Sequence, residues 1–477
     1  MKKVCWPYFD PEFDNLPERI FGPSCKVDID NESCEDCSVV KVDSVNKQGL
    51  LLEVVQVLTD LNLAISKSYI SSDAGWFMDV FHVTDEDGNK VTDQTVINYI
   101  QQAIGTGRKT PKSCGAANNR VLDSSEPPRC SERTTIEMSG TDRPGLFSEI
   151  SAALADLRCN VVEAHAWTHN ARLACVAYIS NNQFSDAPID DPHRLATIED
   201  HLTTVLRATS TSTCATETMS NKREVKTAGF PGGEGGGVTA TSVERRLHQL
   251  MVSVRDFEGP SSSYVVPWGR SNNSSVVSIE SCDEKGYSIV SLECKDRSRL
   301  MFDTVCTLTD LQYVIFHAST GSRQGHAFQE YFIRHMDGRA LKTDSEKERV
   351  VKCLEAAIER RVCEGVRLEL CAKNRVGLLS DITRVLRENG LTVVRADVAT
   401  QGGKAVNAFY VRDIFGNDVD MEFIESLKRE MGLINLEVKN ETMPRSSSLP
   451  DQRSRFSIGD MLKSQIERFS HNFIPTR

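Results

Sequence analysis

The chain has 477 residues and a formal net charge of −11, from 56 Lys+Arg against 67 Asp+Glu, and at roughly 150 residues per domain it predicts about three domains. No run approaches the ~20 apolar residues of a membrane helix, and an acidic chain lacks the concentrated positive field of a sequence-independent nucleic-acid binder. Fifteen cysteines, with no apolar core of a secretory signal after Met1-Lys2-Lys3-Val4-Cys5-Trp6-Pro7, predict reduced thiols and a cytoplasmic location, and nuclear entry stays open because Arg245-Arg246 and Arg360-Arg361 are short for a basic address.

Residues 1–37 form an N-terminal segment. From residue 38 a β-branched run (Val39, Val40, Val42) passes a polar loop, Asn46-Lys47-Gln48-Gly49, into a stretch whose Leu50, Val54, Val57, Leu58 and Leu61 share one helical face. Extended runs at 63–72 and 76–84 flank a turn at Gly75, and a second helix is predicted over 96–104, which completes a first unit at 38–105. Residues 106–132, rich in Lys, Ser, Asn and Pro, read as a linker. The order then recurs over 133–208: Thr135, Ile136 and Met138, the loop Asp142-Arg143-Pro144-Gly145, and a helical stripe of Leu146, Ile150, Leu154 and Leu157. Residues 209–287 read as a spacer with Ser/Thr and Gly runs and one short helix near 243–257.

A third unit, 288–362, carries the loop Asp296-Arg297-Ser298-Arg299 and a helix over 346–361, with Thr343 and Glu346 as a capping box. A fourth, 365–440, has Val366, Leu368 and Leu370, the loop Asn374-Arg375-Val376-Gly377, a stripe of Leu378, Ile382, Val385 and Leu386, extended runs at 391–399 and 405–411, and a closing strand at 434–438. The Ser/Arg-rich tail, 441–477, ends in an amphipathic helical pattern of Leu462, Ile466, Phe469 and Phe473.

The four units align without gaps on Gly49, Gly145, Arg299 and Gly377. One position later stand Leu50, Leu146, Leu300 and Leu378; nine later Leu58, Leu154, Leu308 and Leu386; eleven later Asp60, Asp156, Asp310 and Glu388. Sixteen later come Ile65, Val161, Ile315 and Val393, and thirty-nine later Gly88, Gly338 and Gly416 in three of the four. So long a register marks an internal repeat. The order β-α-β-β-α is the split βαβ plan. The predicted fold class is therefore α+β: four tandem ferredoxin-like units (βαββαβ), sheets with helices on one face, joined by flexible linkers. A fourth strand is legible only in the last unit, so the segments that close the first three sheets stay open.

Asp142-Arg143-Pro144-Gly145-Leu146-Phe147 resembles the loop that marks ACT domains, small ferredoxin-like modules that regulate amino-acid metabolism by binding amino acids. Four such units with nothing else attached resemble the plant ACT domain repeat (ACR) family. The segments Trp6-Pro7-Tyr8-Phe9-Asp10-Pro11-Glu12-Phe13, Glu244-Arg245-Arg246-Leu247-His248 and Ser470-His471-Asn472-Phe473 extend the likeness over nearly the whole chain. The resemblance implies a non-catalytic sensor that binds a free amino acid between paired ACT units and relays it to a protein partner, with no cofactor. Carried onto this chain, the donors are backbone groups at Gln48, Gly49, Leu50, Gly145, Leu146, Gly377 and Leu378, and Asn46, Asp142 and Asn374 take the ligand's ammonium or amide.

The loop chemistry fits independently of the likeness. Glycine at a strand-to-helix turn tolerates positive φ and close approach, and the helix start offers unpaired N–H groups to a carboxylate. The same residues also serve ordinary turns and caps, so the loop alone leaves both readings open. Arg299 replaces the glycine in the third unit, where no site is expected.

Other constellations carry less. Cys34-x-x-Cys37 has no second pair at zinc spacing, and His165 and His169 in a strand stand about 13 Å apart, so no metal site is expected. The glycine run at 232–237 lacks the Gly-Lys-Ser/Thr ending of a phosphate loop and reads as linker. Ser448, within Arg445-Ser446-Ser447-Ser448-Leu449-Pro450, is a candidate phosphosite for a phosphoserine-reading adaptor. An enzyme is disfavoured: the repeats begin near residue 38 and no His-Glu-x-x-His, Gly-x-Ser-x-Gly or phosphate-loop pattern occurs. The alternative to a sensor is an interaction scaffold whose ACT units no longer bind ligand.

Overall fold

The computed structural model describes residues 25–45, 49–73, 76–105, 134–181, 188–208, 225–228, 242–258, 276–282, 284–362, 365–415, 419–432 and 434–439. The first repeat runs β1 (Lys26–Asp30), β2 (Ser38–Val45), α1 (Leu50–Asp60), β3 (Ala64–Asp73), β4 (Trp76–Thr84) and α2 (Gln94–Gly105). The second runs β5 (Thr134–Thr141), α3 (Leu146–Asp156), β6 (Asn160–His169), β7 (Arg172–Ser180), α4 (Pro192–Arg207) and β8 (Val225–Ala228). After α5 (Val243–Ser253) and a 3-10 turn at Asp256–Glu258, the third repeat runs β9 (Val276–Cys282), β10 (Tyr287–Lys295), α6 (Leu300–Asp310), β11 (Tyr313–Arg323), β12 (His326–His335) and α7 (Asp344–Glu359). The fourth runs β13 (Val366–Lys373), α8 (Leu378–Glu388), β14 (Leu391–Gln401), β15 (Lys404–Asp413), α9 (Met421–Met431) and β16 (Asn435–Lys439).

The repeats pair out of sequence order. The first and third build one compact unit, the second and fourth another. Each unit holds an eight-stranded antiparallel sheet, β1-β2-β4-β3-β11-β12-β10-β9 in one and β16-β13-β15-β14-β6-β7-β5-β8 in the other. The fold is α+β, as the repeat pattern predicts. In each unit the two repeats join strand to strand, β3 on β11 and β6 on β14, with Tyr69 opposite Ser319 and His165 opposite Asp397. All four residues stand twenty positions after their loop residue, so a pseudo-two-fold axis passes through each seam.

The strands that sequence reading left unassigned now have owners. The edge position beside each repeat's first strand is filled by β1, β8, β9 and β16, always antiparallel. In the second and fourth repeats that strand follows the repeat; in the first and third it precedes it. β1 therefore lies in the stretch read as an N-terminal segment, and β8 and β9 lie in the stretch read as spacer. Strands of four to seven residues give too few alternations to stand out from loop composition.

Local chemistry explains why the elements recur. The four loop-following helices each span eleven residues from the aligned leucine to the aligned acid. Their cap residue is left-handed every time, with φ 84° at Gly49, 83° at Gly145, 85° at Gly377 and 64° at Arg299. Glycine takes that conformation freely, whereas arginine does so at a cost of about 1–2 kcal/mol. A bulge in the following strand recurs as well, at Ile65/Lys67, Val161/Glu163, Ile315/His317 and Val393/Arg395. The leucine nine positions after the cap is 0–2% exposed in every repeat, which makes it the centre of each helix-on-sheet core. One face of each sheet carries these helices. In the second unit α5 packs on the opposite face, with Leu247, Leu250 and Met251 against Trp167, Ala174 and Val176.

Candidate ligand cleft between the second and fourth repeats

The N-terminus of α8 opens into a cleft between the second and fourth repeats. Gly377 turns the chain, and the Leu378 N–H donates to Arg375 O at 3.1 Å. The next N–H groups, at Leu379 and Ser380, belong to the first helical turn, which has no intrahelical acceptor, and both residues line the cleft. The facing wall comes from the end of α3 and the start of β6 in the second repeat, with Ala155, Cys159 and Asn160. Asn374 Nδ2 donates across the seam to Asn160 Oδ1 at 3.4 Å. Val398 and Thr400 of β14 and Ala405 and Asn407 of β15 form the floor.

Two floor oxygens decide the character of the cleft. Asn407 is 2% exposed, and neither its Oδ1 nor Thr400 Oγ1 has a hydrogen-bond partner among the described residues. A buried acceptor left unpaired costs about 1–3 kcal/mol. A molecule that brings an N–H to Asn407 and a carboxylate to the helix start would satisfy both ends of the cleft.

An ion pair fastens three of the four loops to their helices. Arg375 pairs with Asp381, Arg143 with Glu149, and Arg297 with Asp303. Each arginine stands two positions before the cap and each acid four after it, in the first turn, where the helix dipole also favours an anion. The same spacing is legible in the sequence, with Lys47 and Glu53 at the corresponding places of the first repeat.

Of the residues singled out in sequence, Asn374, Gly377 and Leu378 line this cleft. Asp142, Gly145 and Leu146 hold the two-fold-related place at the start of α3. Burial pushes the Asp142 carboxyl up to about 7, against the N–H and guanidinium of Arg143. Gly49 and Leu50 begin α1 in the other unit, and Asn46 and Gln48 lie outside the described residues. The structure thus distributes the eight described ones over three loops. Asn160, Thr400 and Asn407 were missed because they sit fifteen, twenty-three and thirty positions beyond the cap, where the repeat varies.

The first unit fills its corresponding places differently. Arg299 reaches across the seam and donates to Asn62 Oδ1 at 2.5 Å, so the third repeat's loop is occupied by its own side chain. At the position of Asn407 the first repeat carries Asp79, fully buried, with Oδ1 accepting the Ser71 N–H at 3.3 Å. Burial pushes the Asp79 carboxyl up to about 9.

The two histidines considered as metal ligands serve other ends. His165 Nδ1 lies 2.8 Å from Asp397 and Nε2 lies 3.2 Å from Glu163. Burial opposes the imidazolium, but those carboxylates outweigh it and push His165 up to about 10. His169 contacts Asp256 at 3.0 Å. Asp256 also takes a bidentate bond from Arg360, at 2.6 and 2.8 Å, with both side chains fully buried. Arg360 further donates to His248 Nδ1 of α5 at 2.8 Å, and Arg361 pairs with Glu244 of α5 at 2.8 Å while lying over the Trp167 ring. Cys34 and Cys37 are free thiols with their sulfurs 3.2 Å apart. No three His, Cys, Asp or Glu side chains among the described residues gather as a metal site, and none of their helices is long and apolar enough to cross a membrane. Ser448 and the tail pattern at Leu462, Ile466, Phe469 and Phe473 lie outside the described residues.

Comparison with known proteins matches the first, second and fourth repeats. Residues 33–111 match the ACR family N-terminal ACT domain, and residues 132–207 and 366–429 match ACT domain models. The chain is 62% identical to ACT domain-containing protein ACR2 of Arabidopsis thaliana, covering 100% of both chains. It is 53% identical to ACR3 of the same plant over 91% of this chain and 90% of that one, and 45% identical to ACR4 over 96% of each. With the paired ferredoxin-like repeats and the recurring loop, these matches establish that the chain belongs to the plant ACR family of ACT-domain proteins.

Proposed function

We propose that the protein is a non-catalytic regulatory sensor that binds a free amino acid in the cleft between the second and fourth repeats. ACT domains are typically amino-acid-binding regulatory modules, which supplies the ligand class. The observation that carries the reading is Asn407: a buried amide oxygen with no hydrogen-bond partner among the described residues, in the same cleft as the first turn of α8, whose N–H groups have no intrahelical acceptor. The amino acid's ammonium meets Asn407 and Thr400, and its carboxylate meets the start of α8. Because the walls come from two repeats, the bound amino acid favours their closed packing by the difference in its affinity for the two arrangements. A protein partner reads that packing, in the cytoplasm or nucleus.

A thermal-shift screen against the twenty amino acids tests this. A ligand at a hundred times its Kd adds about 2.7 kcal/mol to the species that binds it. Asn407→Leu removes the unpaired acceptor, so it raises the melting temperature without ligand and abolishes the ligand shift. A shift that survives Asn407→Leu moves the site elsewhere, and no shift with any amino acid in the wild type leaves the interaction scaffold as the reading.

A further inference from the structure

The pseudo-two-fold axis of the second unit generates two clefts, each repeat's loop facing the end of the other's first helix. Their chemistry is unequal. Ten positions after the cap stands Ala155 at the end of α3 but Arg387 near the end of α8. A Cβ built on Gly377 meets nothing closer than 3.9 Å, the Ala155 methyl being one of its neighbours. A Cβ built on Gly145 would meet Arg387 Cδ at 2.8 Å and Cγ at 3.3 Å. The arginine stem therefore lies directly on the Gly145 backbone, where the other cleft has room, in the way long basic side chains cover surface with their methylenes.

The remaining positions differ in the same sense. Asn407 on the open floor corresponds to Cys175, whose thiol burial pushes up to about 12, so the second floor presents no amide. Asn160 corresponds to Thr392, and Asn374 to Asp142. The side covered by Arg387 thus also lacks the amide set that lines the open cleft.

We infer that the second unit takes one amino acid rather than two, because the Arg387 stem lies over the Gly145 backbone in the two-fold-related cleft. The inference rests on the amino-acid reading above. It makes the pair of repeats a single-site clamp: one repeat contributes the helix start, the other the facing wall, and the roles cannot be exchanged.

Equilibrium dialysis of the full chain against a mixture of the twenty 14C-labelled L-amino acids tests it, with retained label compared between variants so that any binding elsewhere cancels. Ala155→Arg should lose about one equivalent per chain, and Arg387→Ala should gain about one. Arg387→Lys, which keeps the stem, should match the wild type. The double variant Ala155→Arg/Arg387→Ala should return to the wild-type count with the site transposed, and this guards against a single variant that merely unfolds. If Ala155→Arg loses its equivalent and Arg387→Ala gains none, the inference is overturned while the amino-acid reading stands. If Ala155→Arg in a folded chain loses nothing, the open cleft is not the site. If the wild type retains no label, the amino-acid reading itself fails and takes this inference with it.

Discussion

Asp79 shows how one repeat position can be tuned by a single residue. The same place holds Asp79, Cys175, Gln329 and Asn407 in the four repeats. Gln329 is satisfied by Thr304 and Tyr331, each at 2.9 Å, whereas Asp79 Oδ2 is buried without a partner among the described residues. With its folded pKa raised to about 9, Asp79 enters the core protonated. The unfolded chain, with a carboxyl near 3.9, has given the proton up. Its contribution to stability is complete below about pH 4 and is lost as pH climbs toward 9, at up to about 1.4 kcal/mol per pH unit. Asp79→Asn should remove that slope, matching the wild type near pH 4 and exceeding its stability at pH 8. Chemical denaturation of both proteins across this range measures the difference. A wild-type slope equal to the variant's would mean the carboxylate is charged and paired in the fold.

At the scale of elements, α5, the short helix expected within the 209–287 spacer, packs against a sheet. Its composition is legible: charged Glu244-Arg245-Arg246 are followed by apolar Leu247, Leu250 and Met251 at helical spacing. Its seat is not, because the residues that receive it lie far along the chain, Arg360 112 positions beyond His248 and Arg361 117 beyond Glu244. The Asp256–Arg360 pair joins this seat with no solvent on either side chain. Burial opposes the Asp256 charge, yet His169 and Arg360 hold it down to about 2. Arg360→Met breaks the buried pair but leaves Asp256 its His169 contact, and should therefore cost about 3 kcal/mol, the low end of the penalty for breaking a buried ion pair, and adding Asp256→Leu should recover a large part of it. Urea denaturation reads both, and limited proteolysis within α5, residues 243–253, should accelerate only in the single variant. The three cap glycines and the leucines one and nine positions after all four caps were legible in the sequence because they are local and recur in register; the bulges that follow them were not read from it. Nor was the cleft floor, since Asn160 and Asn407 gain meaning only when two distant repeats close around them.

For the whole molecule the question is why the first repeat chooses the third and the second the fourth. The seams carry a code. Six positions after the cap stand Val55 and Val305 in one unit, both fully buried, and Ser151 and Thr383 in the other, their hydroxyls 2.7 Å apart. At the strand seam Tyr69 faces Ser319, and His165 faces Asp397. Exchanging partners would set Asp397 against a neutral residue and strand His165, a loss of about 2 kcal/mol or more for a desolvated charge pair. Specificity then comes from penalties on wrong pairs as much as from gains in right ones. Both positions were readable once the repeats were aligned, but nothing in a single repeat says that position six and position twenty will meet their counterparts. Ser151→Cys combined with Thr383→Cys should form a disulfide on mild oxidation of the full chain, found by peptide mapping without reductant. Ser151→Cys combined with Val55→Cys or Val305→Cys should give none, since those partners belong to the other unit. Adding Asp397→Arg to the first pair places two cations across the seam and should lower its cross-linking yield. Equal yields from all these combinations would show that the repeats exchange partners freely and that the seams carry no code.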